Sequence, residues 1–250
     1  MAISESWLGD NMQYMAKFPD KFFELAVPDP PYFSGPEKRL FYGNEINKLK
    51  IKRKDYPVIE KWDVPQADFF KEVERVSKNQ IIWGCNYYKY QFGPGRIIWD
   101  KVNGDSSFSD CEIAYCSFHD SVRMFRFMWN GMLQGKSREE GSVMQGNKSL
   151  NENRIHQTQK PVELYKWTFE KYCKKGDKIL DTNYGSQSSR IAAYDLCFDI
   201  YGCEKSKIHY DNGNERFETH KTKSEEIKNF GYAKTELSKI NPVFSFSEQI

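Results

Sequence analysis

The sequence predicts an α/β fold on a largely parallel sheet, and three observations carry that reading. Strand-like and helix-like stretches alternate along the chain instead of segregating. The run FFELAV (Phe22–Val27) stops at Pro28-Asp29-Pro30-Pro31-Tyr32, and proline cannot continue a central strand, so the chain must leave the sheet there. Lys178 to Glu204 reads as strand, small-residue loop, helix and strand, a βαβ unit. With 250 residues, 39% hydrophobic and 29% charged, the chain can build one sizeable core and one small lobe.

Composition narrows the class further. A mean hydropathy of -0.76 and the lack of a long apolar run argue against a membrane-spanning helix. MAISESWLGDN has no cationic start followed by an apolar stretch, so no secretory signal is expected. The cysteines at 85, 111, 116, 173, 197 and 203 form no CxxC pair, which suits neither a zinc site nor a disulfide scaffold. They are expected to be reduced, and the protein cytoplasmic, with no metal. Lys plus Arg at 37 against Asp plus Glu at 35 leaves +2, so the sum announces no polyanionic partner. The distribution is more telling: Lys38 to Lys54 holds seven basic residues and one acid, Glu45.

Taken in order, Pro65–Ser77 is expected to be a helix, with Pro at its start and Phe69, Phe70, Val73 and Val76 at helical spacing. Asn79–Cys85 and Arg96–Lys101 read as strands. Cys111–Phe118 and Val122–Trp129 read as two more, paired through a His119-Asp120 turn. Residues 130–155, rich in Gly, Ser and Asn, are expected to be an exposed mobile loop. A helix follows from Pro161 to a basic end at Lys174-Lys175-Gly176. Then come strand Lys178–Asp181, helix Ser188–Leu196, strand Asp199–Glu204, helix Ser206–His220 and a polar tail, 221–250.

Two constellations carry chemistry. In the βαβ unit, Asp181 ends the first strand and Glu204 ends the second. Such units bring the loop backbone to a nucleoside and the second acid to its ribose. Gly185 is the one glycine left in the loop, so the dinucleotide GxGxxG is absent, which favours a nucleoside cofactor without a pyrophosphate. In the second constellation, Asp29, Pro30, Pro31 and Tyr32 present an acid, a stiff carbonyl and an aromatic face at the carboxyl edge of the sheet. An aromatic amine is a poor nucleophile because its lone pair is delocalised. Asp29 and the Pro30 carbonyl can each accept one amine hydrogen and turn the lone pair toward an electrophile, while Tyr32 stacks on a base taken out of its helix. Asp29 acts by position and charge, since a carboxylate of pKa about 3.9 is too weak a base for a neutral aromatic amine.

Together these residues resemble the DNA amino-methyltransferases of the permuted, beta-type group, which act on N4 of cytosine or N6 of adenine, and phage or prophage adenine-specific members in particular. Gly9-Asp10-Asn11 is similar to the segment contacting the cofactor's adenine, and His156-Gln157-Thr158-Gln159-Lys160-Pro161 resembles the HPTQKP signature. Asp181 to Ser189 resembles the Asp-x-x-x-Gly-Ser-Gly loop, and Glu204 matches the ribose-binding acid. The resemblance implies an α/β, Rossmann-like S-adenosylmethionine-dependent methyltransferase fold, with helices on both faces and permuted motif order. It implies a catalytic domain over 1–220, with a small target-recognition region and mobile loop at about 100–155. Asp29, Pro30, Pro31 and Tyr32 would be catalytic. Asp10, Asn11, His156, Thr158, Gln159, Lys160, Asp181, Gly185, Ser186, Ser188 and Glu204 would hold S-adenosylmethionine.

Members acting on cytosine usually carry Ser in place of Asp29, so adenine is the expected target and N4 of cytosine the alternative. A DNA-binding protein of this fold without turnover is the competing class, and an RNA or protein methyltransferase would share the chemistry. Lys48, Lys50, Lys52, Arg53 and Lys54 are expected to touch DNA phosphates without reading bases. A homodimer and a cognate restriction endonuclease are compatible partners, in a bacterial or phage-infected cell. The sequence departs from the family pattern at Gln157 in place of Pro, at Gln187 in place of the second loop Gly, and in lacking an acid two places after Glu204. Gln187 fits such a loop if its backbone dihedrals are ordinary and its side chain points outward.

Overall fold

A computed structural model describes residues 2–33, 64–104, 109–130, 133–156 and 158–240. Lys48, Lys50, Lys52, Arg53 and Lys54 lie outside the described residues, as does Gln157.

An eight-stranded sheet forms the centre. Its strands are β1 (Ser4–Leu8), β2 (Phe23–Ala26), β3 (Ser77–Trp83), β4 (Arg96–Asp100), β5 (Cys111–Cys116), β6 (Val122–Arg126), β9 (Lys178–Asp181) and β10 (Asp199–Glu204). A separate hairpin pairs β7 (Trp129–Asn130) with β8 (Leu133–Gln134). The spatial order is β1-β10-β9-β2-β3-β5-β4-β6, and the five strands from β1 to β3 in that order run parallel. Near-continuous burial along β2, β9 and β10 and the second half of β3 fits such a sheet, which must be covered twice. Helices α1 (Asn11–Met15) and α2 (Ala67–Val76) bury Tyr14, Met15, Phe69, Phe70, Val73 and Val76 in one layer. On the other face, α3 (Val162–Tyr172), α4 (Ser188–Leu196) and α5 (Lys207–Ile240) pack Leu164, Phe169, Ile191 and Phe217.

The topology fixes where a ligand can sit. From β9 the chain crosses through α4 to β10, and from β2 it travels through α2 to β3, on the opposite side. The crevice beyond the carboxyl ends of β2 and β9 is therefore the switch point, where open α/β sheets bind ligands. Ala26 is level with Leu180, so Asp29 and Asp181 leave the sheet side by side.

Three sequence expectations are corrected, and two elements are added to them. Strands β5 and β6 do not pair through the His119-Asp120 turn, because β4 lies between them, antiparallel to β5 and parallel to β6. Strand β1 and helix α1 were not anticipated; α1 is short and nucleated by the Asp10 carboxylate, which accepts from Met12 N and Gln13 N. Residues 133–156 are not a structureless loop. They hold β8, a bridge between Gly135 and Met144, a 3-10 turn at Lys148–Leu150, and Glu152, which accepts from Val162 N and pairs with Arg216. The last helix does not stop at His220 but runs to Ile240, through most of the expected tail. Among the described residues no helix is long and apolar enough to cross a membrane.

Candidate active site

The loop after β9 is shaped by hydrogen bonds to the two acids that end β9 and β10. Asp181 accepts from Asn183 N at 3.0 Å and from Ser189 Oγ at 2.5 Å, tying both ends of the loop to one carboxylate. Burial pushes that carboxyl up to about 7 against these two hydrogen bonds. Gly185 takes a left-handed φ of 47° and donates its N–H to Glu204 Oε2 at 2.8 Å, while Ser206 N donates to Oε1 at 2.8 Å. A Cβ on Gly185 would sit 3.9 Å from Asn183 O and from the His156 ring, ordinary contact distances, so the space above this glycine is no deeper there than a methyl group. His156 and Asn183 border that space. Ser186 and Ser188 face each other at 3.2 Å, and Arg216 donates to the Ser186 carbonyl.

Gln187 meets neither condition set for it, an ordinary backbone and an outward side chain. It is left-handed (φ 58°) and fully buried. The loop needs a left-handed residue at this point to turn into α4, which is what a glycine normally supplies. Its side chain is anchored by donating to Asn214 at 3.0 Å and accepting from Arg190 at 2.9 Å.

The His156–Pro161 segment divides between two tasks. His156 Nδ1 accepts from Thr158 N at 3.2 Å, so its Nε2 carries the proton that faces His209 Nδ1 at 3.2 Å. Burial and the neighbouring His209 lower the His156 pKa to about 3, so the ring is neutral. Gln159 is engaged structurally, accepting from Ile155 N and donating to Glu152 and Asn153. Lys160, expected among the cofactor-binding residues, reaches the other strand end: its ammonium lies 2.5 Å from Asp29 Oδ1, 3.0 Å from Glu112 Oε2 and 3.0 Å from the Tyr32 hydroxyl. Asp10 caps α1, and Gly9 N donates to the Glu204 carbonyl, which holds Asn11 beside the same edge.

Around Asp29 the structure assembles a compact charged cluster. The Tyr32 hydroxyl lies 2.9 Å from Asp29 Oδ1 and 3.0 Å from Glu112 Oε2, and its ring stacks on Tyr87 with centroids 4.9 Å apart. Gly84 sits against that ring, where a Cβ would fall 2.1 Å from Cε1. The Pro30 carbonyl, expected to lack competing donors, accepts the Tyr88 hydroxyl at 2.7 Å, leaving its second lone pair. Burial raises the Asp29 pKa and Lys160 opposes it. Glu112 would likewise be raised by burial, but Lys160 and Lys101 bring it down to about 2. A cavity of ≈ 230 Å³ opens beside this cluster, lined by Tyr32, Asn86, Tyr87 and Glu112 among others. Sequence reasoning missed Glu112, Lys101, Tyr88 and Arg216. A single acid inside the otherwise apolar strand CEIAYC was the one available signal for Glu112.

Residues 126–215 match the DNA methylase family. The chain is similar to the DNA amino-methyltransferases. It is 22% identical, over 88% of its length and 70% of the relative's, to the type II methyltransferase M.HinfI of Haemophilus influenzae. Its fold is the Rossmann-like one of the S-adenosylmethionine-dependent methyltransferases. A Thermus thermophilus protein assigned as a DNA modification methylase, crystallised with S-adenosyl-L-methionine, aligns with a TM-score of 0.51 at 16% identity, over 87% of this chain and 94% of that one. PvuII DNA methyltransferase, cytosine-N4-specific, aligns at 0.52 with 13% identity, over 86% of this chain and 87% of that one. The methylase match begins at the end of β6 and includes the Lys160 segment, the Gly185 loop and Glu204, but not Asp29.

Proposed function

We propose that the chain is an S-adenosylmethionine-dependent DNA methyltransferase acting on the exocyclic amine of adenine. The observation that carries this reading is the placement of two half-sites on adjacent strand ends. The Asp29–Tyr32 turn follows β2, and the Gly185–Glu204 pocket follows β9 and β10, with β2 and β9 in register at Ala26 and Leu180. A nucleoside cofactor in the second and a base in the first would meet at the switch point.

The residues fit the cofactor. Gly185, which carries no Cβ, the neutral His156 beside it and the Glu204 carboxylate would form the cradle for a nucleoside and its ribose hydroxyls. In this reading Asp10, Asn11, Thr158, Ser186 and Ser188 would complete it, with Gln159 holding Glu152 and Asp181 holding Ser189 behind them. When bound, S-adenosylmethionine supplies an electrophilic methyl group. The protein's own contribution is orientation. Asp29 accepts one hydrogen of the target amine and the free lone pair of the Pro30 carbonyl accepts the other, directing the nitrogen lone pair at the methyl carbon. The Tyr32 hydroxyl and the Lys160 ammonium both fall on Asp29 Oδ1, so Oδ2 is the oxygen available to the amine. Tyr32 would supply the stacking surface for a flipped base; because its ring stacks on Tyr87 here, a base entering through the cavity beside them would take the place of Tyr87.

Adenine is preferred over cytosine because Asp, rather than Ser, precedes the Pro-Pro-Tyr. In this reading residues 1–220 are the catalytic domain, with DNA recognition assigned to the basic stretch and to about 100–155. Nucleoside mass spectrometry of DNA from cells expressing the protein tests it. N6-methyladenine is expected; N4-methylcytosine would transfer the assignment to the other amine. No methylated base, with DNA bound but no calorimetric binding of S-adenosylmethionine, would make this a non-catalytic DNA-binding relative.

A further inference from the structure

Lys160 and Glu112 are charged side chains that the fold brings to Asp29 from distant parts of the chain. Lys160 is 3% exposed at its side chain and bridges the two carboxylates, at 2.5 Å to Asp29 Oδ1 and 3.0 Å to Glu112 Oε2. Lys101 pairs with the other oxygen, Glu112 Oε1. An ammonium buried between two carboxylates has its position over-determined, because leaving either one strands a charge at low dielectric. The arrangement also matters for the charge on the Asp29 pair. Lys160 alone would neutralise Asp29 and oppose the positive charge that develops on an amine during methyl transfer, and Glu112 offsets that by sharing the same ammonium.

We propose that Lys160 and Glu112 are positioning residues for the reaction, Lys160 tying Asp29 Oδ1 so that Oδ2 meets the target amine, and Glu112 fixing Lys160 and balancing its charge. This rests on the methyltransferase reading above and assigns Lys160 to the amine side of the site rather than to the cofactor. The two residues act on Asp29 with opposite sign. Other titratable groups facing it are Tyr32 on its own turn, Tyr88 after β3, Tyr165 on α3 and Asp181 on β9. The tyrosines are held neutral by burial, so Lys160, Glu112 and Asp181 carry the charge that sets the Asp29 protonation state.

The test compares Glu112→Gln, which keeps shape and removes one charge, with Lys160→Met. Methyl transfer is followed against pH with S-adenosylmethionine and DNA, and Asp29 is titrated by carboxyl-carbon NMR in the same proteins, its signal assigned through Asp29→Asn. Asp29 must be ionised to accept the amine hydrogen, so activity falls as pH drops through its pKa. Removing the lysine should move that acid limb and the NMR midpoint upward, by roughly 1–3 pH units for loss of an adjacent cation. Removing the glutamate should move both downward. The plateau kcat should fall in both variants while the calorimetric affinity for S-adenosylmethionine stays within a few-fold. Unmoved limbs and midpoints overturn the proposal. So does a Lys160→Met protein whose main loss is cofactor affinity. If the wild-type protein transfers no methyl group, the functional reading falls, and the NMR midpoints still decide the coupling of the three residues. Should Lys160→Met fail to fold, the isosteric Glu112→Gln carries the test.

Discussion

Gln187 and Gly213 are locked together: a Cβ on Gly213 would lie 2.8 Å from Gln187 Cγ, and 2.8 Å from the Gly185 carbonyl oxygen as well. A glutamine at the second glycine position of the loop is accommodated because α5 presents a glycine to its side chain. The left-handed backbone of a non-glycine residue costs on the order of 1–2 kcal/mol. Burial and the hydrogen bonds to Asn214 and Arg190 offset that cost.

Gly213→Ala is therefore expected to destabilise the protein, although alanine is the better helix former by about 1 kcal/mol. Overpacking against a carbonyl that cannot retreat costs roughly 1–3 kcal/mol. Urea denaturation should show a lower midpoint with an unchanged slope. Adding Gln187→Gly should rescue the loss in part only, since the Gly185 carbonyl remains in place. A variant as stable as the parent would mean that α5 does not rest on the loop.

Asp29→Ala and Glu204→Ala should separate chemistry from cofactor binding. The first is expected to abolish methyl transfer while S-adenosylmethionine affinity changes by no more than a few-fold, because its partner is the amine. The second removes a charge-assisted acceptor worth roughly 1.5–3 kcal/mol, or about ten- to a hundred-fold in affinity at 1.4 kcal/mol per decade. Calorimetry on both proteins checks this. Wild-type turnover in Asp29→Ala, or unchanged binding in Glu204→Ala, would refute the respective role.

Asp181 should leave a mark on the pH dependence of stability. Its carboxyl is raised from 3.8 to about 7, chiefly by burial. A group whose folded pKa is raised favours folding while protonated, fully below pH 3.8, and that advantage is lost as pH rises to about 7. The loss amounts to roughly 4 kcal/mol at 1.36 kcal/mol per pH unit. Asp181→Asn cannot ionise, so its stability relative to the parent should climb between about pH 4 and 7 and level off above. Denaturation at several pH values measures the difference, and parallel curves would show that the carboxyl titrates normally.

Neutralising three of Lys48, Lys50, Lys52, Arg53 and Lys54 should weaken DNA binding and flatten its salt dependence, by about 0.9 per lost contact in the log–log slope. The methylated sequence should not change, because flexible lysines act as point charges with little geometric selectivity. Unchanged affinity and slope would place the stretch away from DNA. An altered target sequence would make it a base reader.

Local chemistry determined much of this protein from sequence alone. The prolines ending β2, the periodicity of α2 and the strand–loop–helix–strand of 178–204 each depend on residues adjacent in the chain, so the α/β class and the two strand-end turns could be read directly. What joins segments far apart could not. β4 inserts between β5 and β6 because non-local strand pairing is settled by which faces bury together. The segment 133–156 is ordered because the Glu152 carboxylate finds Val162 N, Gln159 and Arg216, none of them legible in a Gly- and Ser-rich run. Lys160 illustrates the limit best. Its motif placed it with the cofactor, but a buried ammonium goes where carboxylates can neutralise it, and only the folded sheet brings Asp29 and Glu112 within its reach.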